Sequence, residues 1–241
     1  MSFLTAVRNN ESDFKEGWQS GIGIAIGYLP IALTFGLLSK SAGLTFLETI
    51  SMSIFVYAGA SQYLALNLLT LGTGTVEIIL ATAILNIRHF LMSTSIQSKA
   101  SEKDLWKKMI YSFGITDETF SVASMKKGTL TTSFMFGLCT IAYGSWVICS
   151  GLGYIFGASL PNALQESMSI ALYAMFIALL MPALSKSRKI LFLALTGAAL
   201  NTIFMLSGWM STGWSIILST ILSALFIEYI YTRLLRQEAK L

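Results

Sequence analysis

Long apolar runs recur along this chain, and short segments between them carry most of its charge. A helix that crosses the hydrocarbon core of a bilayer needs about 20 mainly apolar residues. Charged residues make up 12% of the 241 residues, whereas a soluble globular domain has about 25%. Because so little charge cannot cover a water-facing surface, the sequence predicts an all-α integral membrane protein.

The apolar runs predict about seven transmembrane helices in a single membrane domain, residues 1–241. Between the third and fourth spans, residues 105–125 are partly apolar but interrupted by Gly114 and an acidic pair. We expect an interfacial or re-entrant helix there, with an eighth span as the alternative. The polar N-terminus does not resemble a cleavable signal peptide. The predicted spans are about 18–39, 48–71, 75–97, 129–150, 165–184, 189–207 and 211–232.

Lysine and arginine near span ends predict the orientation, because they favour the cytoplasm. With seven spans, Lys40 falls on the same side as Lys99 and most other basic residues, whereas the opposite side has only Arg8 and Lys15. We therefore expect an extracytoplasmic N-terminus and a cytoplasmic C-terminus. The net charge of +4 arises from these loops, so a nucleic-acid partner is not expected.

Two short matches indicate an internal duplication. SMSIFVYA at 51–58 recurs as SMSIALYA at 167–174, and AILN at 83–86 recurs as AALN at 198–201. Because each repeat would contain three spans, an odd number, the halves would cross the membrane in opposite directions. Secondary transporters often have such inverted repeats, with broken helices beside a substrate site near the midplane. The inverted 3+3 repeat and the last span would occupy about residues 18–97, 129–207 and 211–232.

Residues that interrupt apolar helices are candidates for a translocation path. A proline inside span one removes a backbone donor, although a kink packed against small residues would explain it equally well. In span two, close helix packing can account for the small residues of YAGASQYLA, but the glutamine amide must face protein or water. We expect the path to include Pro30, Gly59, Ala60, Ser61, Gln62 and Asn86.

Span three places Asn86, Arg88 and His89 in an apolar run. An arginine at a helix centre costs about 2.5 kcal/mol or more on insertion scales, unless it snorkels to the headgroups. We expect Arg88 to pair with Asp117 or Glu118. Alternatively, Thr116 and Asp117 only cap a short helix. Proton coupling through His89 is a further hypothesis, since an unperturbed histidine changes charge between pH 5 and 8.

The sequence contains none of the common enzyme or metal-site motifs. It has one histidine and no HExxH, GxSxG, P-loop or CxxC pattern. We therefore expect no catalysis, no metal and no other cofactor. An ATP-driven pump would need a separate subunit.

Four motifs, in order, resemble the AzlC family of bacterial branched-chain amino acid exporters: GYLPIALTFG, FVYAGASQYLA, NIRHFLMS and ITDETF. The resemblance implies a seven-span protein of the bacterial inner membrane that works with a small AzlD-like membrane subunit. It also implies export of leucine, isoleucine, valine and sometimes methionine, driven by the proton gradient or the membrane potential. The family motifs include Gly59, Ala60, Ser61, Gln62, Asn86, Arg88, His89, Asp117 and Glu118.

Two other functions stay open on the sequence alone. A passive channel for small polar solutes would need a continuous wet pore. A noncatalytic membrane scaffold would only support a partner protein. Trans-stimulation by unlabelled leucine would distinguish a carrier from a pore.

Overall fold

The computed structural model confirms the all-α fold class. It describes residues 3–100, 102, 104–161 and 187–238, together with scattered positions between 163 and 185. Most of the predicted span at 165–184 therefore lies outside the described residues, as does most of the second repeat segment, SMSIALYA at 167–174. The α-helices whose bounds are described are α1 (Phe3–Ser41), α2 (Phe46–Phe55), α3 (Gly59–Thr70), α4 (Thr75–Gln97), α5 (Leu105–Phe113), α6 (Asp117–Met125), α7 (Thr132–Phe156), α8 (Arg188–Ser207) and α9 (Thr212–Glu238).

Five stretches of helix in the described part of the chain are long and apolar enough to cross a membrane. They coincide with five of the predicted spans, and the predicted span at 48–71 is not among them. In α8 no residue is buried, as expected of a helix that exposes apolar side chains to lipid. The stretches are Glu11–Ser41, Thr75–Gln97, Thr132–Ser159, Arg188–Ser207 and Thr212–Arg233.

The chain forms two compact units, residues 1–66 with 86–172 and residues 67–85 with 173–241. In the second unit, buried Glu77 accepts a hydrogen bond from the backbone N–H of Trp214 (2.8 Å) and another from the Ser211 hydroxyl. A negative charge is favourable at a helix N-terminus. Glu77 therefore caps α9.

In the first unit, α1 and α7 pack along most of their length. Towards their N-terminal ends, a Cβ added to Gly17 would overlap the Phe134 carbonyl oxygen. Towards their C-terminal ends, a Cβ added to Gly36 would overlap the Ser150 carbonyl oxygen. Small residues permit such close backbone approach in membrane helices. Because like ends lie together, α1 and α7 run in the same direction.

The structure corrects two expectations about the first span. An inverted repeat requires the first and fourth spans to run in opposite directions, and that prediction is wrong for α1 and α7. A helix break at Pro30 is also wrong, because α1 is continuous through it. The Pro30 carbonyl oxygen instead accepts a hydrogen bond from the Thr34 hydroxyl (2.9 Å).

α2 and α3 replace the span predicted at 48–71. α2 begins beside the C-terminal end of α7, where the Phe46 and Tyr154 rings lie 5.6 Å apart. It ends near the middle of α7, where the Tyr143 hydroxyl donates a hydrogen bond to the Ile54 carbonyl oxygen (3.0 Å). α2 therefore runs antiparallel to α7 and stops halfway along it.

α3 then turns back towards the end from which α2 came. Gln62 Nε2 donates a hydrogen bond to Ser53 Oγ of α2 (3.2 Å), although nine residues of straight helix would separate the two positions by about 13 Å. The rings of Tyr63 and Phe35 lie 5.7 Å apart, in the C-terminal part of α1. α2 and α3 thus form a hairpin, and the prediction of one continuous span is wrong.

α5 and α6 form a second hairpin at the opposite end of α7. Just before α5, Glu102 accepts a hydrogen bond from the hydroxyl of Thr132, the first residue of α7 (2.6 Å). Just after α6, Lys126 Nζ lies 4.1 Å from the Phe134 ring centroid, again at the start of α7. Each helix has nine residues, about 14 Å, which is half the thickness of the hydrocarbon core. The chain turns between them at residues 114–116.

The two hairpins change the expected orientation of the protein. Because α1 and α7 are parallel, the chain between them must cross the membrane an odd number of times. Only α4 is a long helix in that part of the chain, so we expect one crossing there rather than two. Lys99, Lys126 and Lys127 then share an end with the N-terminus, and Lys40 lies at the other end. Since basic residues favour the cytoplasm, we expect a cytoplasmic N-terminus, the reverse of the orientation predicted from loop charge.

Cysteine labelling tests this topology. In a variant without the two native cysteines, both of which are buried, Lys40→Cys and Lys127→Cys should react with a membrane-impermeant maleimide from opposite sides. Lys15→Cys should react from the same side as Lys127→Cys, because the neighbouring Glu16 pairs with Lys126. Labelling of Lys40→Cys and Lys127→Cys from one side would support the seven-span arrangement instead.

Candidate functional site

The turns of the two hairpins meet near the middle of α1 and α7. The Tyr57 ring, between α2 and α3, lies 6.1 Å from the Phe113 ring at the end of α5. Both rings pack against Tyr143 of α7, with centroid distances of 4.9 Å and 6.1 Å. Non-helical backbone at membrane depth is tolerated where it is buried in protein or lines a cavity. These two turns, residues 56–58 and 114–116, are the first and second helix breaks, and they adjoin inside the first unit.

The first break has an unusual backbone at Tyr57. Its φ is +42°, in a region that non-glycine residues rarely adopt and that costs about 1–3 kcal/mol. Gly59 follows, and a Cβ there would lie 2.7 Å from the Trp146 ring. The small residues of YAGAS are therefore needed where α3 starts against α7. Ala60 is buried beside them.

Gln62 is fully buried within a polar cluster. Its Oε1 accepts a hydrogen bond from Trp146 Nε1 (3.0 Å), and its Nε2 donates to Ser53. The Ser53 hydroxyl donates in turn to Ser150 Oγ (2.9 Å). These bonds tie both arms of the first hairpin to α7. The structure thus places Gln62 as a link between helices, and its role in lining a path stays a prediction.

Ser61 and Asn86 are brought together by α3 and α4. The Ser61 hydroxyl donates a hydrogen bond to Asn86 Oδ1 (2.5 Å), and Ser61 is 1% exposed. This contact gives one of the polar groups in NIRHFLMS a hydrogen-bond partner within the protein. Pro30 lies in α1, two residues beyond Tyr28.

Arg88 forms an ion pair with Asp117, one of the two expected partners. Arg88 Nη1 lies 2.7 Å from Asp117 Oδ2, and the two side chains are 32% and 23% exposed. Arg88 Nε is buried without a hydrogen-bond partner. Asp117 is in the first turn of α6, where its charge also favours the helix. His89 follows Arg88 and is partly buried.

Glu118 has a different partner. The Tyr28 hydroxyl, buried in α1, donates a hydrogen bond to Glu118 Oε2 (2.6 Å). The same hydroxyl lies 2.7 Å from Thr116 Oγ1, which caps α6. The start of α6 is thereby held against the middle of α1.

The Tyr57 hydroxyl completes this group of polar atoms. Tyr57 is 3% exposed, and its hydroxyl is buried without a hydrogen-bond partner. The polar groups around it are those of Cys139, Glu118, Tyr28 and Tyr143. Sequence reasoning missed Tyr28 and Tyr57, although each lies in a quoted motif, GYLP or VYAGA. Among the described residues, no cluster of histidine, cysteine, aspartate or glutamate is arranged to hold a metal ion.

Comparisons with known proteins agree with the four sequence motifs. The family model described as AzlC protein matches residues 23–160. The Escherichia coli (strain K12) inner membrane protein YgaZ is 27% identical over 202 residues, 80% of this chain and 82% of YgaZ. An uncharacterized membrane protein of Archaeoglobus fulgidus is 30% identical over 202 residues, 83% of this chain and 88% of that protein.

A third relative is the Bacillus subtilis (strain 168) branched-chain amino acid transport protein AzlC. It is 28% identical over 196 residues, 78% of this chain and 74% of the relative. No solved structure matches the chain significantly. The family match covers both helix breaks and all ten predicted site residues, so the chain belongs to the AzlC family of multi-pass membrane proteins.

Proposed function

We propose that this protein is a secondary transporter, and not an enzyme, that exports branched-chain amino acids across the inner membrane. Leucine, isoleucine and valine are the proposed substrates, with methionine as a further one. The observation that carries the proposal is the collection of polar and charged side chains at two adjoining helix breaks in an otherwise apolar protein. Similarity to a relative named as a branched-chain amino acid transport protein supports the substrate class.

The proposed path runs past the two hairpin turns. Interrupted helices provide backbone N–H and C=O groups for a substrate that is charged at both ends. Gly59 and Ala60 leave space at the first break, and Arg88 and Asp117 adjoin the second. Movement of a hairpin relative to α1 and α7 would open the site to one side of the membrane at a time.

A small AzlD-like membrane subunit is the proposed partner, and the proton gradient or the membrane potential is the proposed energy source. Protonation of His89 is one route by which a proton gradient could act. Exposed apolar helix surfaces could bind such a subunit as well as lipid. Both proposals derive from the family resemblance and are tested together with transport.

Leucine efflux from proteoliposomes tests the proposed function. Vesicles that contain this chain and its small partner should release preloaded leucine, and unlabelled external leucine should stimulate the release. Collapse of the proton gradient should slow net export without abolishing exchange. Efflux without trans-stimulation would indicate a channel, and the absence of any leucine flux with both subunits present would favour a scaffold.

A further inference from the structure

We propose that Glu118 binds the α-ammonium group of the transported amino acid and that the Tyr57 hydroxyl is its second ligand. The inference rests on the proposed function, because it assigns one end of the substrate to particular atoms. Glu118 was singled out from the sequence only as part of a charge network. The arrangement of side chains at the two breaks indicates that its ligand is an ammonium group and that the Tyr57 hydroxyl shares this ligand.

Local charge is the first step in the argument. Arg88 is neutralised by Asp117, at 2.7 Å. Among the described residues no cation pairs with the adjoining Glu118 carboxylate, which accepts a hydrogen bond from the Tyr28 hydroxyl at 2.6 Å. Glu118 is partly buried, and a carboxylate removed from water is costly unless it is protonated or meets a cation. One positive group at the site would therefore neutralise Glu118, and the α-ammonium group of an amino acid is such a group.

Hydrogen-bonding capacity is the second step. A primary ammonium has three donors and no acceptor, so it needs several oxygen atoms around it. Glu118 offers a carboxylate. Among the described residues the buried Tyr57 hydroxyl has no hydrogen-bond partner of normal geometry, although the Tyr28 hydroxyl adjoins it. A buried hydroxyl that lacks a partner is unusual and calls for one. An ammonium between these groups would satisfy both, while Tyr28 keeps the carboxylate in place.

The opposite end of the substrate has a complementary neighbour. Tyr57 lies two residues before the start of α3, a helix of 12 residues, and the first N–H groups of a helix have no acceptor within it. Such an N-terminus favours a carboxylate. A zwitterion with its ammonium at Glu118 and its carboxylate towards α3 would lie across both breaks. The strained Tyr57 backbone would then connect the two ends of the site.

Competition binding to the purified complex of this chain with its small partner tests the inference. The measurement is displacement of radiolabelled leucine in equilibrium dialysis by two analogues. 3-Methylbutylamine lacks the carboxylate of leucine, and 4-methylpentanoate lacks the ammonium. In the wild-type protein the amine should compete about tenfold or more better than the acid, because only the amine provides a charge-assisted hydrogen bond to Glu118.

Variants should reverse this preference. Glu118→Gln should weaken leucine binding about tenfold or more and abolish competition by the amine without weakening that by the acid. Tyr57→Phe should weaken leucine binding about threefold to tenfold. Two matched controls should leave leucine affinity unchanged: Glu16→Gln, an acid paired with Lys126, and Tyr63→Phe, whose hydroxyl already donates to the Ile31 carbonyl oxygen.

The outcomes separate the two proposals. If the wild-type complex binds leucine but the amine does not displace it, or if Glu118→Gln leaves the preference unchanged, the ammonium site is refuted while the proposed function stands. If the wild-type complex binds and transports no leucine, both proposals are refuted. The analogue comparison in wild-type protein needs no variant, so a failure of Glu118→Gln to fold would still leave a decisive result.

Discussion

Gly36→Val should prevent most of the protein from reaching its folded state. A Cβ at this position would overlap the Ser150 carbonyl oxygen of α7, and a backbone atom cannot move aside as the end of a flexible side chain can. Overpacking a tight core costs about 1–3 kcal/mol and occasionally more. Since the clash is with backbone in the central helix pair, we expect the upper end of that range or beyond.

The measurement is the folded yield in detergent, by gel filtration, together with the melting temperature. Gly23→Val is the matched control, because it makes the same change in the same helix where an added Cβ would meet nothing within 4 Å. It should retain most of the wild-type yield. Equal yields for Gly36→Val and Gly23→Val would contradict the close parallel packing of α1 and α7.

Arg88→Ala should abolish most leucine transport and lower the stability of the protein. Removing one member of a buried ion pair costs about 3–5 kcal/mol, because the remaining charge lacks compensation. Arg88 and Asp117 are 32% and 23% exposed, so we expect a smaller loss, about 1–3 kcal/mol. Asp117 also starts α6, and its displacement would disturb the adjoining Glu118.

A double-mutant cycle measures the coupling between Arg88 and Asp117. Arg88→Ala/Asp117→Ala should be more stable than the sum of the single changes predicts, by about 1 kcal/mol or more. Lys189→Ala provides the comparison, since its partner Glu228 is 64% exposed and surface ion pairs contribute about 0–1 kcal/mol. Strict additivity for Arg88 and Asp117 would show that the ion pair does not hold α4 to α6.

Several features of the site could be predicted from the sequence because they follow from the cost of burying charge. An arginine in an apolar run needs an acid, and ITDETF was the nearest source, so Asp117 or Glu118 could be named. Which acid would pair, and what the other would do, depended on the orientation of the first turn of α6. Tyr28 and Tyr57 gave little signal, since tyrosine is common near membrane interfaces.

The sequence by itself determined that this is a multi-pass helical membrane protein, because a chain with so little charge and so many long apolar runs is stable only in lipid. It also determined the family, through four ordered motifs. The tertiary structure alone decided that residues 46–70 double back and that α1 and α7 are parallel. Hydropathy reports how much apolar chain is present and not its direction, so a hairpin of two half-length helices and one straight span give the same signal.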